Sequence, residues 1–312
     1  MVISDFPSVR HNDTVPALFD PPRQSEPIII GTVLRSSPRF RGVEPFYSEF
    51  IAGLEDTLRL TDGSVLVHIA GSLEEEVASY HRWAASGHVS AIVMHDLTEN
   101  DARTEILRGL GLPTLVLGDP LQTSEAGVAT LEVDNFEAVT LAVHYAVELG
   151  HRRIGRVAGP AQLAHTGVRT ASFAEAIAAT GATALNVTGD YSEQSGFDGT
   201  RELLQGPEKP TMILFDNDLM AIGGLAYAQQ AGLAVPGELS LLAWDDSSLC
   251  RLSNPPLSVM RRDVHWLGAA AAEMVQELLA GRSPGSIPAP APQVVARGTT
   301  APPPAEQASP TP

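Results

Sequence analysis

The sequence holds a single cysteine, Cys250, so no disulfide can close within the chain, and a reducing compartment suits it. It also holds a single lysine, Lys209, so arginine carries nearly all the positive charge. Acids outnumber bases, 37 Asp and Glu against 20 Lys and Arg, for a formal net charge of −17. Such a chain repels nucleic-acid phosphate except through a local basic patch. No stretch of ~18 apolar residues is present to span a bilayer. The opening "MVISDFPSVRHNDTVPALFDPP" lacks the basic start and apolar core of a secretory leader. No membrane partner and a cytoplasmic location are therefore expected. The phosphate-loop pattern G-x-x-x-x-G-K-[ST] is absent, and the nine histidines form neither H-E-x-x-H nor a Cys/His cluster at metal spacing. No cofactor or metal is expected, and the chain does not read as an enzyme.

What is present is a globular composition, 44% hydrophobic and 18% charged over 312 residues, a length for two domains or one large α/β unit. Residues 1–27 contain five prolines and read as a tail, as do residues 302–312. Between them, strand and helix patterns alternate. "IIIGTVL" (28–34) reads as a buried strand, and Phe46, Phe50, Leu54 and Leu58 then recur at helical spacing. Strands at 64–70, 89–95, 114–118 and 129–134 follow, with helices between them, one of them near 99–110. The pattern restarts with a strand at 153–158, a helix at 170–180, a strand near 184–188 and a helix at 193–205. Then come a strand at 211–216, a helix at 218–231, strands at 239–245 and 257–261, a long helix at 264–280 and "QVVARG" (293–298). Alternation of this kind means parallel sheets covered by helices. The elements are too numerous for one small sheet. The expected fold is α/β, with two doubly wound lobes and a ligand cleft between them: 28–151 with 263–290, and 152–262 with 291–301.

Open α/β sheets bind ligands beyond the carboxyl ends of their strands. That rule picks out Gly118-Asp119, Asp134-Asn135, Asp216-Asn217-Asp218 and Asp245-Asp246. Each acid or amide can also cap the helix that follows, and Asn135 is expected to cap the helix ending at Leu149. A strand ending in Asp-x-Asp also suits a magnesium-dependent phosphotransferase using Asp216 and Asp218. Such a site needs a downstream cation, and Lys209 lies before the motif.

Two long stretches carry a family resemblance. "VDNFEAVTLAVHYAVELGHRRIGRVAGP" (133–160) resembles the mid-chain signature of the LacI/GalR bacterial transcriptional regulators. "PTMILFDNDLMAIGGLAYAQQAGLAVPGELSLLAWDDSSLCRLSNPPLSVMRRDVHWLG" (210–268) resembles the second, with its Asn-Asp, Val-Pro, Asp-Asp and Pro-Pro-Leu landmarks, and "VVARGTT" (294–300) resembles the last strand. The similarity runs over about residues 28–300. It implies the periplasmic-binding-protein-like fold of type I, with two lobes joined by three crossovers around a small effector. It also implies that Asn217 and Asp245 contact ligand hydroxyls, that Arg169 joins them, and that Tyr191, Phe46 and Tyr47 line the pocket. Arg262, in the crossover "MRRD", is a further candidate, and Asp218 is expected to cap the next helix.

The resemblance thus implies a sensor module of a LacI-type regulator that binds a small polar effector, a sugar among the candidates, and forms a homodimer through the lobe holding helices 46–59 and 264–280. Two departures stand out. Residues 1–27 match neither a helix-turn-helix nor a hinge helix, so DNA contact is expected only if an upstream segment or a partner subunit supplies the reader. The strand-end acid that many members carry after "LVL" is Gly118 here, with Asp119 one place later. The competing functions are a transporter's solute-binding protein, disfavoured by the missing leader, and the magnesium enzyme.

Overall fold

A computed structural model of the chain describes residues 27–35, 43–119 and 129–304. The expected tails, and with them the question of a DNA-reading element, lie in residues 1–26 and 305–312, outside the described residues. Residues 301–304 belong to the body: the Ala301 carbonyl accepts from His151 and from Ser240.

The first lobe begins with β1 (Ile29–Arg35), α1 (Pro45–Leu58), β2 (Ser64–Ala70), α2 (Leu73–Ser86), β3 (Ala91–Met94), α3 (Arg103–Gly109), β4 (Thr114–Gly118) and β5 (Ala129–Glu132). Next come α4 (Asn135–Glu148), β6 (Arg153–Ala158), α5 (Ala164–Thr180), β7 (Thr183–Thr188), α6 (Glu193–Gln205), β8 (Met212–Phe215), α7 (Asp218–Gln230), β9 (Ser240–Trp244), the short α8 (Ser248–Leu252) and β10 (Ser258–Arg261). The chain then returns through α9 (Val264–Leu279) and β11 (Ser286–Pro288) and crosses again to β12 (Gln293–Val295).

Two six-stranded sheets result, in the orders β11-β5-β4-β3-β1-β2 and β12-β10-β9-β8-β6-β7. All pairings are parallel except β10 with β12. Each half repeats one doubly wound order, with strands leaving on both sides of its first strand. A parallel sheet covered on both faces needs unbroken apolar strands. The central strands β3 (AIVM), β8 (MILF) and β9 (SLLAW) are accordingly buried throughout. The edge strands β2 and β7 are partly exposed instead.

The two α/β lobes expected from the sequence are present, with one element reassigned. α4 packs against the second sheet: Ala138, Val139, Ala142, Val143 and Ala146 share a core with Ile154, Phe173, Leu214, Leu242 and Trp244. The division placed at 151 therefore moves back to the end of β5, because the apolar face of α4 has its partners in the second lobe. The chain passes between lobes three times, after β5, after β10 and after β11.

Two capping expectations also shift by one residue. Asp134, not Asn135, caps α4, accepting from Glu137 N at 2.8 Å. Asn217, not Asp218, caps α7, accepting from Met220 N at 2.9 Å. The cap is the last residue with extended backbone, and Asn217 is that residue, at φ −149° and ψ 173°. The helix expected at 170–180 starts earlier, at Ala164, which sets Arg169 in its second turn rather than ahead of it.

Candidate functional site

The carboxyl ends of both sheets face one cavity of about 90 Å³. Phe46, Tyr47, Arg169, Tyr191, Asn217, Asp245 and Arg262, the seven residues singled out from the sequence, all line it. Residues that the sequence reading did not single out as ligand contacts line it too: Glu44, His95, Asp96 and His165. His95 and Asp96 follow β3 directly in "AIVMHD", so the strand-end rule could have found them. Glu44 precedes Pro45 at the start of α1 and had no such signal.

Backbone shape helps aim these side chains. Five described non-glycine residues have a left-handed backbone, and three of them, Asp96 (φ 51°), Tyr191 (φ 68°) and Asp245 (φ 66°), line the cavity. That conformation costs an L-residue about 1–2 kcal/mol, and it is found where function constrains a turn.

The floor is a set of charge pairs. Arg156 donates to both oxygens of Asp216, at 2.8 and 2.6 Å, and Gly159 N adds a third bond at 3.0 Å. Burial alone would raise the Asp216 carboxyl, but the charges of Arg156 and Arg169 hold it below the ordinary range. Arg262 forks onto Asp245 at 2.8 and 2.7 Å. Arg169 donates to the Asn135 side-chain oxygen at 2.7 Å and to the Asp216 carbonyl at 2.9 Å. The Arg169 guanidinium lies 4.5 Å over the Trp244 ring, and that of Arg262 lies 5.8 Å from it and 5.3 Å from the Phe46 ring. Asn135, released from capping, also donates to Asp119 at 2.9 Å. Asp119, the acid displaced by one place, is thus buried against α4.

The walls carry groups that remain open to a ligand. Asn217 donates to the Tyr191 carbonyl at 2.9 Å and reaches Glu44 across the cleft at 3.4 Å. His165 meets the Tyr191 hydroxyl at 2.7 Å. Burial, with Arg169 nearby, lowers His165 to about 4, so its ring is neutral near pH 7. Burial and the charge of Asp96 push Glu44 up to about 8. The lobes also touch at the rim, where Ala164 N donates to the Leu97 carbonyl at 2.8 Å.

Other candidate chemistry is not supported by these positions. Both oxygens of Asp216 are bound to Arg156, and Asp218 is turned into the protein, donated to by Leu219 N. The Asp216/Asp218 pair therefore does not offer the open carboxylates that magnesium requires. A larger hollow, of about 760 Å³, lies between residues 97–104 and 161–168, but its buried acid, Asp101, is bound to Arg103. Gly281-Arg282-Ser283-Pro284-Gly285 spells the hydrolase pattern G-x-S-x-G, yet it follows a helix and leads into a strand. The hydrolase elbow needs the reverse order.

The matches to known proteins agree with this geometry. Residues 143–300 match the periplasmic binding protein-like domain. The HTH-type transcriptional repressor CytR of Escherichia coli (strain K12) is 27% identical over 247 residues, covering 78% of this chain and 72% of that protein. A crystal structure of a LacI family transcriptional regulator from Bifidobacterium animalis subsp. lactis superposes with a TM-score of 0.80 at 32% identity, over 88% of this chain and 98% of that one. The chain belongs to the LacI family of transcriptional regulators. The fold is also shared by the regulator CelR in complex with cellobiose, with a TM-score of 0.79 at 24% identity, over 87% of this chain and 84% of that one. In this LacI-family chain the described body is the effector-sensing region, and no helix among the described residues is long and apolar enough to cross a membrane.

Proposed function

We propose that the cavity between the lobes is the effector site of this regulator, and that Asn217, Asp245, Arg169 and Arg262 hold the ligand's polar groups while Phe46, Tyr47 and Tyr191 cover its apolar faces. The observation that carries this is the convergence of oriented polar groups from both lobes on one cavity. A ligand held there touches Glu44 and Tyr47 on one side and Asn217 and Asp245 on the other, so binding favours lobe closure. Aromatic rings beside a few fixed amides and charges suit a small polyhydroxylated molecule. CelR is known with cellobiose bound, and a sugar is the ligand class tested first. The chain does no chemistry on this ligand: its output is a change of shape passed to the rest of the regulator. The protein works as a cytoplasmic homodimer, and DNA contact belongs to the assembled regulator.

The test is calorimetry of the full chain against sugars and nucleosides, repeated with Asp245→Asn. Weakening one buried hydrogen-bonding partner costs about 1–3 kcal/mol, or roughly five- to 150-fold in affinity. An Asp245→Asn chain that binds as tightly as the parent removes this residue from the site.

A further inference from the structure

The acids of the cleft fall into two sets. Asp216 and Asp245 each have both oxygens on an arginine. Among the described residues no arginine reaches the side-chain carboxyls of Glu44 and Asp96, on the first-lobe wall. Glu44 meets the Asn217 amide at 3.4 Å. Asp96 accepts from the Tyr47 hydroxyl at 2.5 Å and lies 3.4 Å from the His95 ring. Arg35 and Arg103 reach the Asp96 residue, but they bind its backbone carbonyl, at 3.0 and 2.8 Å. They fix where the side chain stands without neutralising it.

An independent observation points to a ligand at the same wall. His95 is 5% exposed, and its Nε2 has no hydrogen-bond partner, although the residue lines the cavity. Buried polar atoms without partners are few in folded proteins, and each calls for an explanation. Two acid side chains that no arginine of the described residues reaches, and an unpartnered imidazole nitrogen, thus border one space.

We propose that this wall receives a protonated amine: the effector is a small polyhydroxylated molecule with one basic nitrogen, bound by Glu44 and Asp96 while His95 takes a neighbouring hydroxyl. This rests on the reading of the cleft as the effector site and adds the ligand's charge to it. The contrast with the second lobe is the reason. There each acid lining the cleft is bound on both oxygens by an arginine, and here no described arginine reaches either acid. The raised carboxyl of Glu44 agrees, since burial beside Asp96 makes its lone negative charge costly. An ammonium relieves that cost, whereas a neutral hydroxyl leaves it in place. The space of about 90 Å³ favours one ring over a longer saccharide.

The experiment is calorimetry on the full chain with three amino sugars, D-glucosamine, D-galactosamine and D-mannosamine, each beside its parent hexose and its N-acetyl derivative. Nucleosides and cellobiose complete the panel. The expected result is that one amine binds about ten- to 150-fold more tightly than its uncharged partners, and that Glu44→Gln and Asp96→Asn remove this preference. Thermal melting of both variants separates loss of the site from loss of the fold, and Glu44→Gln keeps the shape of the side chain. If uncharged members bind as well as the amines, or if Glu44→Gln keeps the preference, the amine assignment is overturned and the effector site stands. If nothing in the panel binds the parent chain, both are overturned.

Discussion

Asp218 stands next to a proposed ligand contact, Asn217, yet is not on the cavity wall. One of its oxygens accepts from Leu219 N at 2.8 Å, and the other is buried with no hydrogen-bond partner. Burial lifts its carboxyl from 3.8 to about 6; the Ser247 hydroxyl opposes this and the charge of Asp245 adds to it. The consequence for stability has a definite sign. Between pH 4 and 6 the folded chain holds a proton that the unfolded chain has released. Stability from this group is therefore complete below about pH 4 and lost as pH rises through about 6. The displacement corresponds to at most roughly 3 kcal/mol. Asp218→Asn removes the titration, so its melting temperature relative to the parent should climb from pH 4 to pH 7. A difference that stays flat over that range, followed by calorimetric melting, counts against the argument.

Helix crossings show how the sequence sets the frame for the site. α1 and α9 cross so closely that a Cβ on Gly268 would strike the Phe50 carbonyl, and one on Gly53 would strike that of His265. Only glycine allows this approach, and the approach holds the start of α1, with Glu44, Phe46 and Tyr47, against the crossover that carries Arg262. Gly268→Ala is expected to lower unfolding free energy by about 1–3 kcal/mol in urea titration, through overpacking. This crossing also bears on how copies of the chain can pair. The apolar faces of α1 and α9 are covered by each other and by the first sheet, in a core that joins Phe50, Leu54 and Leu58 to Leu267, Ala271 and Val275. Much of the fold was legible because its elements are long and periodic: α6 falls at 193–205, where the pattern places it, and α9 ends one residue short of it. α8 and β11 were not, since five and three residues carry no period. In the site, acids and amides at strand ends were legible from chemistry alone. His95 and Asp96 follow β3 directly and answer to the same rule, but they lie outside the two long stretches that carry the family resemblance. The partners of Asp216 and Asn135 depend on residues 60 and 34 positions away, which no local pattern reports.

At the scale of the molecule, three crossovers and a shared cavity make two lobes into one device. Pairing of copies needs exposed apolar surface, and the described residues offer it away from α1 and α9. Ile69 is 51% exposed on the edge strand β2, and Leu252 is 82% exposed at the end of α8. Leu66, Leu73 and Leu249 are exposed beside them in sequence. A parallel sheet edge with outward apolar residues is a ready surface for a second chain. The chain of 33.0 kDa is therefore expected to scatter light as a species of about twice that mass at micromolar concentration. The double variant Ile69→Glu, Leu252→Glu should scatter as a monomer with an unchanged melting curve. A parent chain that scatters as a single copy would remove the dimer.

The indole of Trp244, with the Arg169 and Arg262 guanidinium groups beside it, gives this regulator an optical gauge. Its emission depends on the charges beside the ring, and both arginines lie on the cavity wall. Replacing Trp83 and Trp266 with phenylalanine leaves Trp244 as the sole emitter, because the chain has three tryptophans. Any effector that draws either arginine toward itself should shift the colour or intensity of that light. The molecule can then report by its own light that its cleft is filled.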